Sequence, residues 1–172
     1  MKTLNYSHIS FLILALLLIG CASEQNNSVE YVIENAVFAD LDGNEVSVSD
    51  YKGQLILIDF WESWCGPCLQ VFPAMEELRQ EFPDEFQVFA VTAGITEGPE
   101  DARRFTEQHD YDFVWLYDEN NIFSQIGGYG IPFKVYVDPD GNFIKVELGS
   151  HGRQGDYNRA KMMLAEYFEG IN

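Results

Sequence analysis

The chain has 172 residues, 47% of them apolar, which amounts to one ordinary domain with enough hydrophobic surface for a real core and sets intrinsic disorder aside. Its 28 acidic residues against 10 basic ones give a formal charge of −18 at pH 7. Such a charge argues against binding the phosphate backbone of nucleic acid, or an anionic membrane surface, by electrostatic attraction; its plain consequence is solubility.

The first residues read as targeting rather than as fold. Lys2 supplies a short positive region, and the apolar stretch ISFLILALLLIG that ends at Gly20 is shorter than the roughly 20 apolar residues a bilayer span needs. Residues 1–20 therefore read as a secretion signal. The next stretch, Leu18-Ile19-Gly20-Cys21, resembles the lipobox of bacterial lipoproteins, which implies cleavage before Cys21 and lipidation of Cys21 as a membrane anchor. Ordinary cleavage after Ala22 and an uncleaved anchor are the alternatives, and all three place the domain outside the cytoplasm. Residues 21–30 have almost nothing to bury and read as a tether, with the folded domain spanning 31–170.

NAVFADLDGNEVSVSDYKG alternates apolar and polar residues around Asp42-Gly43, which predicts a hairpin. Asp40, Asp42 and Asn44 suggest a calcium loop, but their glycine is misplaced for one, so a plain turn is expected here and at 138–142. QLILIDFW (54–61) is a short apolar run rich in branched residues, fitting a strand buried on both faces. From Pro67 to Phe82 the apolar residues Leu69, Phe72, Met75, Leu78 and Phe82 recur at helical spacing, with Pro73 inside the helix. FQVFAVTA (86–93) predicts a second buried strand, laid parallel to the first by a right-handed crossover. A helix opened by Pro99, a strand in YDFVWLYD and a short helix closed by Gly127 follow. IPFKVYVDPDGNFIKVEL is a hairpin around Asp140-Gly141, and a last helix begins after Asp156 as cap, with Met162, Met163, Leu164 and Phe168 as its buried candidates.

Between the first buried strand and its helix stands WESWCGPC, which raises three readings for Cys65 and Cys68. A structural zinc site needs four ligands, and the chain adds only Cys21, with His109 and His151 isolated, so no metal is expected. A purely structural bridge would close a loop of a few residues and constrain the unfolded chain very little. A reactive dithiol explains the surroundings better: Cys65 would sit at a helix N-terminus, whose unpaired N–H groups and dipole favour a thiolate. Cys68, one turn further in, would resolve a mixed disulfide by attacking Cys65, a cycle that needs no cofactor.

DFWESWCGPC resembles the active-site segment of thioredoxin. DLDGNEVSVSDYKGQLILIDFWESWCGPC followed by GIPFKVYVDPDG resembles the membrane-tethered, extracytoplasmic thioredoxin-like proteins of the TlpA and ResA kind, over essentially the whole of 31–170. The resemblance implies an α/β thioredoxin-like fold: a central mixed sheet flanked by helices, with an N-terminal hairpin and an inserted helix-strand element. It implies that Pro132 is a cis-proline beside the dithiol, leaving the backbone of Ile131 free for an extended substrate chain. It places Trp64, Gly66 and Pro67 at the rim of the site, makes Pro73 the helix-kinking proline, and makes Asp59 a buried acid exchanging a proton with Cys68. A polar residue at a strand edge is the alternative for Asp59.

The chain departs from this family in three places. Val71 stands where ResA-like proteins commonly carry a glutamate, Phe133 stands where threonine is common and is expected to make the substrate surface more apolar, and Glu62 replaces a small residue and is expected in solvent. By resemblance the protein is an extracytoplasmic, lipid-anchored thiol:disulfide oxidoreductase, a monomer facing the periplasm. Its expected partners are protein disulfide and thiol substrates, cytochrome c precursors among the candidates, and a membrane thiol electron donor. A thiol peroxidase and an anchored protein-binding scaffold are the rival readings; neither cysteine has the threonine three residues before it that typifies the peroxidases.

Overall fold

The computed structural model describes residues 28–171, so the expected signal, Cys21 and the tether up to residue 27 lie outside the described residues. Helix α1 (Val29–Glu34) starts inside the stretch read as tether. Ser28 caps it by accepting from the Tyr31 N–H at 3.2 Å, and Val32 and Ile33 give it a buried face.

Strands β1 (Val37–Asp40) and β2 (Glu45–Ser47) form the expected hairpin. Its turn is plain: the Asp40 carboxylate accepts from the backbone of Asp42 and Asn44 and from the Asn44 amide, each at 2.8 Å, while Gly43 takes the left-handed φ of 86°. Asp138 does the same for Asp140 and Asn142 in the second such turn. A 3-10 turn (Val48–Tyr51) leads to β3 (Leu55–Trp61), which is buried along its whole length.

Helix α2 (Gly66–Glu81) follows at once, then β4 (Phe86–Thr92), α3 (Pro99–Thr106), β5 (Val114–Tyr117) and α4 (Ile122–Gln125). The chain ends with the hairpin β6 (Phe133–Val137) and β7 (Phe143–Leu148) and the helix α5 (Gly152–Tyr167). The seven strands make one mixed sheet in the order β2-β1-β5-β4-β3-β6-β7. Strands β3, β4 and β5 run parallel, while β6 is antiparallel to β3 and β1 to β5. This is the expected thioredoxin-like α/β architecture, and α3 with β5 is the inserted helix-strand element.

Alternation along β3 divides the core in two. Leu55, Leu57 and Trp61 pack with α2 and α5, whereas Ile56, Ile58 and Phe60 pack with α1 and α4 on the other side. On the first side Trp61 lies 5.0 Å from the Phe72 ring, 4.7 Å from Phe105 and 5.5 Å from Trp115. Each such side chain contributes about 1.5–3 kcal/mol when fully buried, so the strand end that presents the cysteines is firmly anchored. Pro73 stands inside α2 without an N–H to give to the turn before it.

The last helix differs from expectation in its start and in its buried face. It starts at Gly152, and Asp156 is an interior residue, 1% exposed, not its cap. Asp156 still serves the helix start, since it accepts from the His151 N–H at 3.1 Å and from Ser150 Oγ at 2.7 Å. The buried face runs through Asp156, Ala160, Met163 and Leu164, which leaves Met162 61% exposed rather than buried.

Candidate active site

The sheet hands over to the site at the end of β3. Cys65 caps α2, and its Sγ accepts from the Cys68 N–H at 3.2 Å. A sulfur so placed meets the unpaired N–H groups and the positive end of the helix dipole, which favours the thiolate of the reduced form. Cys65 and Cys68 are joined as a disulfide with Cα atoms 5.3 Å apart; Cys68 is fully buried and Cys65 is 3% exposed. Gly66, Pro67 and Trp64 surround them as exposed rim residues, with Trp64 58% exposed.

The Ile131–Pro132 bond is cis. Pro132 is buried, its carbonyl accepts from the Gly149 N–H at 2.8 Å, and Ile131 is half-buried just outside the paired stretch of β6. Phe133 corrects the expectation of a substrate-facing residue. It is 4% exposed, on the opposite face of β6 from Lys134, with its ring 5.5 Å from Phe123 and 6.2 Å from Phe60. Val71 is likewise a fully buried core residue of α2.

Asp59 occupies the same face of β3 as Leu57 and Trp61, which belong to the same core cluster as both cysteines. It is fully buried, not at a strand edge, and neither carboxyl oxygen has a hydrogen-bond partner among the described residues. Burial pushes its carboxyl up to about 8; Lys134 on β6 pulls it down and Asp156 pushes it further up. An acid that holds its proton at pH 7 and can lose it near pH 8 suits exchange with a thiol.

Glu62 is the second correction, being fully buried instead of solvated. One carboxylate oxygen accepts from the Ile95 N–H at 2.6 Å and the Thr96 N–H at 3.0 Å; the other accepts from Thr96 Oγ1 and Trp64 Nε1, both at 2.7 Å. Burial pushes this carboxyl up, but the hydrogen bonds from Thr96, Trp64 and Ile95 outweigh it and hold Glu62 below the ordinary carboxylate value. Glu97 answers from the facing loop, accepting from the Ser63 N–H at 2.6 Å and from Ser63 Oγ. Two carboxylates thus lace the loop between β4 and α3 to the rim, and Glu62 also holds the Trp64 indole. No sequence spacing announces this, because Glu62 and Thr96 lie far apart in the chain.

The redoxin family model matches residues 28–164. Thioredoxin-like protein YneN of Bacillus subtilis is 33% identical over 64% of this chain and 65% of its own length, just under two thirds. Thiol-disulfide oxidoreductase ResA of Bacillus cereus is 26% identical over 87% of this chain and 82% of its own. Among solved structures, a candidate thiol:disulfide interchange protein DsbE from Chlorobium tepidum superposes with a TM-score of 0.66 at 28% identity, over 76% of this chain and 92% of that one.

Proposed function

Because the chain belongs to the redoxin family, we propose that it is an extracytoplasmic thiol-disulfide oxidoreductase, held to a membrane by lipid on Cys21 and working as a reductant of protein disulfides. The observation that carries this reading is the Cys65–Cys68 disulfide at the N-terminus of α2, on the face of β3 that also holds the unpartnered Asp59.

The Cys65 thiolate attacks one sulfur of a substrate disulfide, and that S–S bond breaks as a mixed disulfide forms. The first substrate thiolate leaves and takes a proton. The ionised form of Asp59, which a midpoint of about 8 keeps in exchange with the neutral acid, takes the proton of the Cys68 thiol, and the Cys68 thiolate attacks Sγ of Cys65 and expels the second substrate thiolate. The substrate disulfide has gained two electrons and the Cys65/Cys68 pair has lost them. In an oxidising compartment a membrane thiol donor must return the pair to the dithiol form. Trp64, Gly66, Pro67, Ile131 and Pro132 form the surface that receives the substrate chain, with cytochrome c precursors as candidate clients. No helix among the described residues is long and apolar enough to cross a membrane.

The test supplies dithiothreitol as the electron source to the full chain, and follows reduction of insulin disulfides beside consumption of hydrogen peroxide. Catalysed insulin reduction with peroxide consumed at the uncatalysed rate is the expected result. Catalysed peroxide consumption with insulin left intact would make the protein a peroxidase.

A further inference from the structure

Buried charge on the α5 side of the sheet goes beyond what the dithiol cycle itself requires. Lys134 is the register partner of Asp59 across β3 and β6, on the same sheet face, and is 1% exposed. A buried ammonium beside a buried carboxyl would ordinarily pair with it. Here it does not. Lys134 Nζ lies 2.6 Å from Asp156 Oδ1 and 3.8 Å from Glu147 Oε2, while both Asp59 oxygens are without partners among the described residues.

Asp156 is well fitted to win that competition. It accepts from Ser150 Oγ and the His151 N–H as well as from Lys134, so its charge is met by several donors. Two acids then share one cation in a region of low dielectric. The acid without that contact, Asp59, does better holding a proton.

We propose that Lys134 and Asp156 are positioning residues for the Cys68 step: Asp156 draws the Lys134 ammonium off Asp59 and leaves that carboxyl free to exchange a proton with Cys68. This rests on the oxidoreductase reading above and adds two residues outside the dithiol motif to it.

The other groups around Asp59 do not supply the effect. Its β4 neighbour in register is Ala90, which carries no charge. Tyr136 on β6 is kept neutral by burial, which pushes its phenol up. Glu147 on β7 is served by Lys145 at 2.8 Å and by Arg159 of α5 at 3.5 Å, besides the longer contact to Lys134. On α2 the cysteines are joined and do not titrate in the oxidised form.

The experiment titrates the Asp59 carboxyl by 13C NMR in the oxidised full chain labelled at aspartate, with Asp59→Asn identifying the resonance. In Asp156→Asn the freed Lys134 turns to Asp59, and the midpoint falls by about one pH unit or more. In Lys134→Met the cation is gone and the midpoint rises by about one pH unit. Mere loosening of the core would move both variants in the same direction. Shifts of like sign, or an unmoved midpoint in Asp156→Asn, would overturn the proposal; if Lys134→Met fails to fold, Asp156→Asn decides alone. Because the titration needs no turnover, it stands or falls separately from the oxidoreductase reading. The link to Cys68 is read from the pH profile of disulfide reduction by dithiothreitol. That profile moves with the Asp59 midpoint, and a fixed profile beside a shifted midpoint would also overturn the proposal.

Discussion

Cys65→Ser lowers disulfide exchange by on the order of a thousandfold or more, to the level of an uncatalysed mixture, whereas Cys68→Ser keeps the first attack and stops at a mixed disulfide. The asymmetry follows from where α2 begins. Cys65 is the cap residue whose sulfur meets the Cys68 N–H, and it is the one cysteine of the pair with any exposure. A serine hydroxyl in that place gains the same hydrogen bond but ionises far above neutral pH, so no nucleophile forms. Cys68 is fully buried and reaches only the sulfur beside it. Thiol alkylation and mass measurement separate the two variants: free substrate disulfide persists with Cys65→Ser, and a covalent protein–substrate adduct accumulates with Cys68→Ser. An adduct formed equally by both would contradict the assignment of roles.

Asp59→Asn stabilises the oxidised protein, by at most about 4 kcal/mol near pH 7. The sign follows from the carboxyl, which is raised from an ordinary 3.8 to about 8 by burial in the fold. Between those values the folded chain holds a proton that the unfolded chain has lost. Stability therefore falls as pH rises through this window, and the cost is complete above about pH 8. The variant has no such group, although its amide, itself without partners, returns part of the gain. Urea unfolding of the oxidised protein checks it: the gap between variant and parent is expected to be small near pH 4 and largest at pH 8.5. A gap that stays constant with pH, or shrinks as pH rises, would contradict an ionisable Asp59 in the fold.

Elements whose signal is local were legible in the sequence. The unbroken apolar run of β3 and β4, the helical spacing after Pro67 and the turn chemistry of Asp42-Gly43 and Asp140-Gly141 each stand in the structure where they were expected. Features that depend on a partner distant in the chain were not legible. Glu62 looked like a solvated charge because the loop residues that bury and satisfy it, Ile95 and Thr96, arrive only through the β3–β4 pairing. Phe133 looked like a rim residue from its place beside Pro132, but strand alternation turns it to the far core and gives the near face to Lys134. Asp156 had the form of a helix cap, yet its strongest partner is Lys134 on a different element. Charge in an interior is specified by contact, and a single sequence records contacts poorly.

A reversible two-thiol couple that runs as a reductant is probed most directly by the equilibrium reduction potential of Cys65/Cys68 in the full chain. Titration against a dithiol buffer series, read by alkylation and mass, is predicted to give a potential at or below about −250 mV, more reducing than the glutaredoxin range. A potential near about −120 mV would make the protein an oxidant, and the absence of any reversible two-thiol couple would contradict the oxidoreductase reading itself.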